Sequence, residues 1–146
     1  MVEEGRVLGI DPGEKRLGVA LSDPTGTIAN PLKVLKHISR EEDAETIVQL
    51  AADHAAVTIV VGQAVNWDGE VSFQGRKAAR LAGAIRAKTD IPVKLWNEYG
   101  STQAARDARI AMGVSREKRG GHLDELAATV ILQNYLDAHS QHVDYV

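Results

Sequence analysis

Apolar residues fall in short runs at the front of the chain and at helical spacing further on. Val7 to Ile10 and Leu17 to Leu21 are compact runs of β-branched residues and Leu, and each predicts a strand. Asp11-Pro12-Gly13 separates them as a turn. Asp23-Pro24-Thr25-Gly26 is a second turn, and Ile28 to Leu35 predicts a third strand, with Pro31 suited to a sheet edge. Three such strands predict an antiparallel meander. Ser39-Arg-Glu-Glu42 is a capping box that opens a helix, with Ala44, Ile47, Val48, Ala51 and Ala52 as its apolar stripe to about His54.

Ala56 to Val61, ended by Gly62, predicts a fourth strand. Residues 63–72 have no periodicity and form a loop. A helix is predicted from about Ser72 to Thr89, with Ala79, Ala82, Ile85 and Arg86 along it. Ile91 to Trp96 is the fifth strand. A helix from Ser101 or Thr102 to about Met112 follows, then a polar Arg- and Gly-rich stretch to Gly121. The last helix runs from about His122 to Ala138, with Leu123, Leu126, Ala127, Val130 and Ile131 on one face. Hairpin strands followed by helix–strand alternation predict an α/β fold: a five-stranded mixed sheet, a three-strand antiparallel meander plus two parallel strands, with helices on both faces. The expected organisation is a single domain over residues 1–146.

The absence of cysteine excludes disulfides, thiolate metal sites and a Cys nucleophile. No apolar run suits a signal peptide or the roughly 20 residues of a membrane span, so a cytoplasmic protein is expected. The formal net charge of -3 speaks against a polyanionic partner, but the charges are segregated. Residues 37–56 are acidic, whereas residues 72–96 hold Arg76, Lys77, Arg80, Arg86, Lys88 and Lys94 against Asp90 alone. Such segregation can put a basic face on an acidic protein; the alternative is a set of solvated helix faces.

Three carboxylates change the picture. Asp11 stands at the end of a buried first strand, where an acid is costly unless a cation or donor meets it. Glu98 follows the fifth strand, and a parallel alignment of the two strands brings both to one rim of the sheet, where ligands of α/β folds gather. Asp124 lies in the first turn of the last helix. Each has a plain structural explanation: a turn, a solvated loop, a favourable helix dipole. Together they form an oxygen-only donor set suited to Mg²⁺ or Mn²⁺, and two such ions can drive phosphodiester hydrolysis. His122, two residues before Asp124, is either a further ligand or proton donor, or a solvated helix start.

Trp67 and Phe73 lie in or beside the central loop, and either stack on an unpaired base or pack under the loop. Arg76, Lys77 and Arg80 follow on a helix where they could hold phosphates. Lys15 and Arg16, close after Asp11, either hold the scissile strand or solvate the hairpin.

From Gly9-Ile-Asp-Pro-Gly-Glu-Lys-Arg-Leu-Gly-Val-Ala-Leu-Ser-Asp23, the chain resembles the YqgF/RuvX family. Val60-Val-Gly62 with Asn66-Trp-Asp-Gly69 resembles that family's central loop, and Asn97-Glu-Tyr-Gly-Ser-Thr102 its glutamate motif. Asp124-Glu-Leu-Ala-Ala128 with Ile131-Leu-Gln-Asn-Tyr-Leu136 resembles its last helix. The resemblance implies an RNase H-like fold and a metal-dependent nuclease, acting on Holliday junctions or at the 5′ end of pre-16S rRNA. It places Asp11, Glu98 and Asp124 in the acidic catalytic positions and implies a homodimer. Two departures stand out: Asn97-Glu98-Tyr99 where the family usually has Asp-Glu-Arg, and Gln63-Ala64 where Leu-Pro is common.

Two other classes remain open. A non-catalytic nucleic-acid-binding module on the same fold is favoured by the Asn97 and Tyr99 departures. An ATP-binding protein of the actin–sugar kinase type is suggested by Asp11-Pro-Gly13 with Gly18, but such proteins close two domains over a nucleotide and this chain supplies one.

Overall fold

The computed structural model describes residues 5–64, 71, 73–97 and 121–140, with side chains in the last segment from 126 to 139 and none for Gln74. The expected helix after Ser101, the loop around Trp67, and Glu98 itself lie outside them.

Three strands open the fold: β1 (Arg6–Pro12), β2 (Arg16–Ser22) and β3 (Ala29–Lys36). β1 pairs antiparallel with β2, and β2 with β3, as the meander requires. Pairing continues through the predicted turn: Asp11 sits opposite Gly18 and Pro12 opposite Leu17, so the reversal is confined to residues 13–15. β3 is an edge strand, and its register with β2 shifts between Val19 and Ala20, facing Pro31. A residue without an N–H is harmless there.

Helix α1 (Arg40–Asp53) begins where the capping box places it: the Ser39 hydroxyl accepts the Glu42 N–H at 3.1 Å. It ends at His54, and Ala55 then adopts φ 54°, the left-handed conformation that stops a helix. β4 (Ala56–Gln63) runs parallel to β1, and β5 (Val93–Asn97) parallel to β4. β5 starts two residues later than the apolar run suggests, because Pro92 has no N–H; its carbonyl instead accepts the Ile59 N–H at 2.9 Å. Between them lies α2 (Phe73–Arg86). It stops three residues short of Thr89, where the Arg86 guanidinium turns to the Val93 carbonyl at 2.7 Å. The last described helix is α3 (Gly121–Ser140). The sheet order β3-β2-β1-β4-β5 leaves β1 in the centre.

The two faces of the sheet are different. Leu8, Ile10, Leu17, Val19, Ile59 and Val61 pack against Ala44 and Ile47 of α1 and Leu81 and Ile85 of α2. The other face presents Val7, Ala20, Ala29 and Val60 to Ala128, Leu132, Tyr135 and Leu136 of α3. The buried stripe of α2 is Ala78, Leu81, Ala82 and Ile85, not Ala79 with Arg86. In α3, Ala127, Ala128, Ile131 and Leu132 are buried while Leu126 is 42% exposed. Apolar residues of that helix fall on more than one face, and the small-residue surface beneath it selects the buried one.

Candidate nucleic-acid cleavage site

β1, β4 and β5 are parallel and end at one rim. Asp11 stands there, one residue beyond the Ile10–Val61 pair. Strand alternation puts it on the same face as Val7 and Gly9, the α3 side. Its cross-strand partner is Gly18, and Asp11 itself is half-buried.

The direction of α3 is fixed by Gln133. Its side-chain amide donates to the Thr27 carbonyl and its oxygen accepts the Ala29 N–H, both at 2.9 Å. These atoms lie at the start of β3, the rim away from Asp11. The amino end of α3 therefore points toward the Asp11 rim. Leu132 lies over Gly9, Ala128 is one turn further along, and position 124 one turn beyond that, about 12 Å from Leu132 along the axis. The backbone thus carries Asp124 toward the rim; its side chain is not among those described. Glu98 directly follows Asn97, which pairs with Gln63 at the same rim, two strands from Asp11.

The cations fall elsewhere. Lys15 and Arg16 are exposed at the tip of the β1–β2 hairpin. Arg76, Lys77 and Arg80 are exposed on α2, which covers the opposite sheet face from Asp11. They share the rim with the carboxylate but not its face. Phe73 is 59% exposed, with the Lys77 ammonium 5.0 Å and the Arg76 guanidinium 5.9 Å from its ring centre. The ring is an exposed stacking surface flanked by cations; Trp67 lies outside the described residues.

Sequence reasoning passed over His37, Arg40 and Asp43. Asp43 belongs to the acidic run of α1, yet it is buried at 5% exposure, with its carboxylate accepting from His37 Nδ1 and from the Ile38 N–H at 3.1 Å. A signal existed: an acid directly after a capping box, with a His six residues before it.

The family model described as "RuvX: Holliday junction resolvase" matches residues 5–138. A "Putative pre-16S rRNA nuclease" of Desulforamulus reducens is 41% identical over 133 residues, covering 91% of this chain and 97% of that protein. The protein of the same description from Clostridium acetobutylicum is 38% identical, with coverages of 91% and 98%. Among solved structures, Thermus thermophilus RuvC in complex with a Holliday junction substrate superposes with a TM-score of 0.55 at 20% identity, covering 92% of this chain and 94% of that one. The fowlpox virus Holliday junction resolvase gives a TM-score of 0.54 at 12% identity, with coverages of 91% and 99%. At these identities the solved structures speak for the fold, which is RNase H-like.

Proposed function

The chain belongs to the RuvX family of nucleases, and on that footing we propose that it is a metal-dependent endonuclease acting on structured nucleic acid from a single domain. The observation that carries this reading is the placement of Asp11 at the carboxyl end of the central strand. The chain leads Glu98 and Asp124 toward the same rim.

In this reading Asp11, Glu98 and Asp124 hold divalent cations. Hard oxygen donors, with no thiolate in the chain, suit Mg²⁺ or Mn²⁺. The ions, when bound, supply an activated water and neutralise charge on the phosphoryl oxygens. The chain's own contribution is positional. Asp11 is paired with Gly18 of β2 and directly follows Ile10, which is paired on both sides, so its carboxylate stands on a rigid strand end. Lys15 and Arg16 on the hairpin, and Arg76, Lys77 and Arg80 on α2, neutralise phosphates of the strand being cut. Trp67 and the exposed Phe73 offer faces to unpaired bases.

Two natural substrates fit the family: a branched DNA junction and the 5′ leader of pre-16S rRNA. The identities of 38–41% to proteins described as pre-16S rRNA nucleases favour the RNA. A homodimer in the cytoplasm completes the reading. No helix among the described residues is long and apolar enough to cross a membrane.

The test is cleavage of a labelled four-way DNA junction and a structured pre-rRNA 5′ leader by wild type and Asp11→Asn. Each is run with Mg²⁺, with Mn²⁺ and with chelator. Metal-dependent cutting lost in Asp11→Asn is the expected result, and the better substrate identifies the role. Intact binding without any cutting would instead make the chain a non-catalytic nucleic-acid-binding module.

A further inference from the structure

Across the hairpin from Asp11 lies a cavity of about 230 Å³. Its floor is Pro12, Gly13 and Leu17 of the β1–β2 hairpin, and its walls carry His37, Arg40, Lys77 and Arg80. We propose that this cavity is a phosphate-binding pocket, which seats a backbone phosphate of the nucleic acid whose neighbouring phosphodiester lies at Asp11. The inference rests on the nuclease reading and extends it from a diffuse basic face to one built subsite.

The charge balance favours an anion. Arg40 and Arg80 have no ion-pair partner among the described residues. Two other acids of α1, Glu41 and Glu45, reach away to Lys88 at 3.5 and 3.9 Å. Asp43 lines the cavity, but its oxygens are taken up by His37 and by the Ile38 N–H. Glu14, exposed at the hairpin tip, is the other acid of the lining. Three cations, Arg40, Lys77 and Arg80, therefore face two carboxylates, of which Asp43 is already taken up by two donors.

The imidazole gives the pocket direction. With Nδ1 committed to the Asp43 carboxylate, Nε2 is the nitrogen left for a ligand. The buried carboxylate fixes the ring plane, while His37 itself stays 43% exposed. Two further contacts hold the surround: the His37 N–H donates to the Lys15 carbonyl at 2.9 Å, and the Gly13 N–H to the Arg16 carbonyl at 2.9 Å. A second hollow beside it, lined by Lys15, Arg16 and Lys36, continues the basic surface around the hairpin tip. A strand crossing that tip from Asp11 would meet mostly cations, with Glu14 the one acid at the tip itself.

The experiment reads the His37 imidazole carbon–proton signal by NMR while inorganic phosphate is titrated into the full chain. The expected result is a saturable shift, weakened tenfold or more in Arg40→Ala and Arg80→Ala. Lys94→Ala, an exposed cation at the far edge, serves as the control for bulk charge and leaves it unchanged. All three side chains are exposed, so the variants fold. Oligonucleotides then compete for the site. Displacement by a 5′-hydroxyl strand assigns the pocket to internal phosphodiesters; displacement only by a 5′-phosphorylated strand assigns it to a chain end. No saturable shift, or one weakened equally by Lys94→Ala, overturns the proposal. Loss of phosphate binding alongside Asp11-dependent cutting removes the pocket alone. Phosphate binding without any cutting removes the nuclease reading alone.

Discussion

A Cβ placed on Gly9 would lie 2.9 Å from the Cβ of Leu132, so β1 and α3 approach as closely there as a hydrogen atom permits. Leu132 is fully buried and cannot swing aside. Gly9→Ala must push the helix off the sheet, at about 1–3 kcal/mol by analogy with overpacked cores. Gly83, in the exposed part of α2, meets nothing within 4 Å. Gly83→Ala should stabilise the protein by roughly 0.5–1 kcal/mol through helix propensity. Opposite signs in urea denaturation of the two variants check the pair.

Ala55 holds φ 54° just past the end of α1, where its N–H donates to the Ala52 carbonyl at 3.2 Å. An L side chain is strained in that conformation, and glycine is not. Ala55→Gly is expected to gain up to about 1 kcal/mol despite the extra freedom it gives the unfolded chain. Its midpoint in the same denaturation series is the readout.

The Asp23 carboxylate closes the second turn. The Ile28 N–H, the Thr25 hydroxyl and the Thr27 N–H all donate to it, and they hold its pKa well below the ordinary carboxylate range; partial desolvation opposes them weakly. A group whose folded pKa is lowered adds stability above its unfolded value, about 3.9, and loses it as pH falls toward the folded one. Asp23→Asn should therefore be less stable than wild type at pH 7, with the gap narrowing below pH 4. A constant gap across that range would show that hydrogen bonding, not charge, governs the turn.

Divalent binding at the Asp11 rim predicts a stability change independent of catalysis. At tenfold excess over its dissociation constant, Mn²⁺ should add about 1.4 kcal/mol, or roughly 3–5 °C in Tm for a chain of this size. Chelator removes the gain, and Asp11→Asn never shows it. A thermal scan with and without Mn²⁺ checks the claim.

The strands were legible because short β-branched runs bounded by Asp-Pro-Gly, Asp-Pro-Thr-Gly and Gly62 admit few other readings. The Ser39 capping box marked the start of α1 for the same local reason. The buried face of α3 was not legible, since Leu126 and Leu132 look alike in sequence and only Gly9, Ala20 and Ala29 beneath the helix separate them. The place of Asp11 near the end of the first strand was legible for the same reason as the strand itself. The His37–Asp43 pair was not, because a strand end and a helix start are needed to bring the two together, and no periodic pattern records that.

The central position of β1 has a consequence for how this protein fails. Strands at the margins of a sheet can fray while the middle stays protected, and Asp11 is anchored on β1 between β2 and β4. Local opening of β3 or β5 leaves that carboxylate where it was. Its loss accompanies the cooperative melting of the whole sheet, so slow amide exchange at Ile10, the residue before it that is paired on both sides, should equal that of global unfolding.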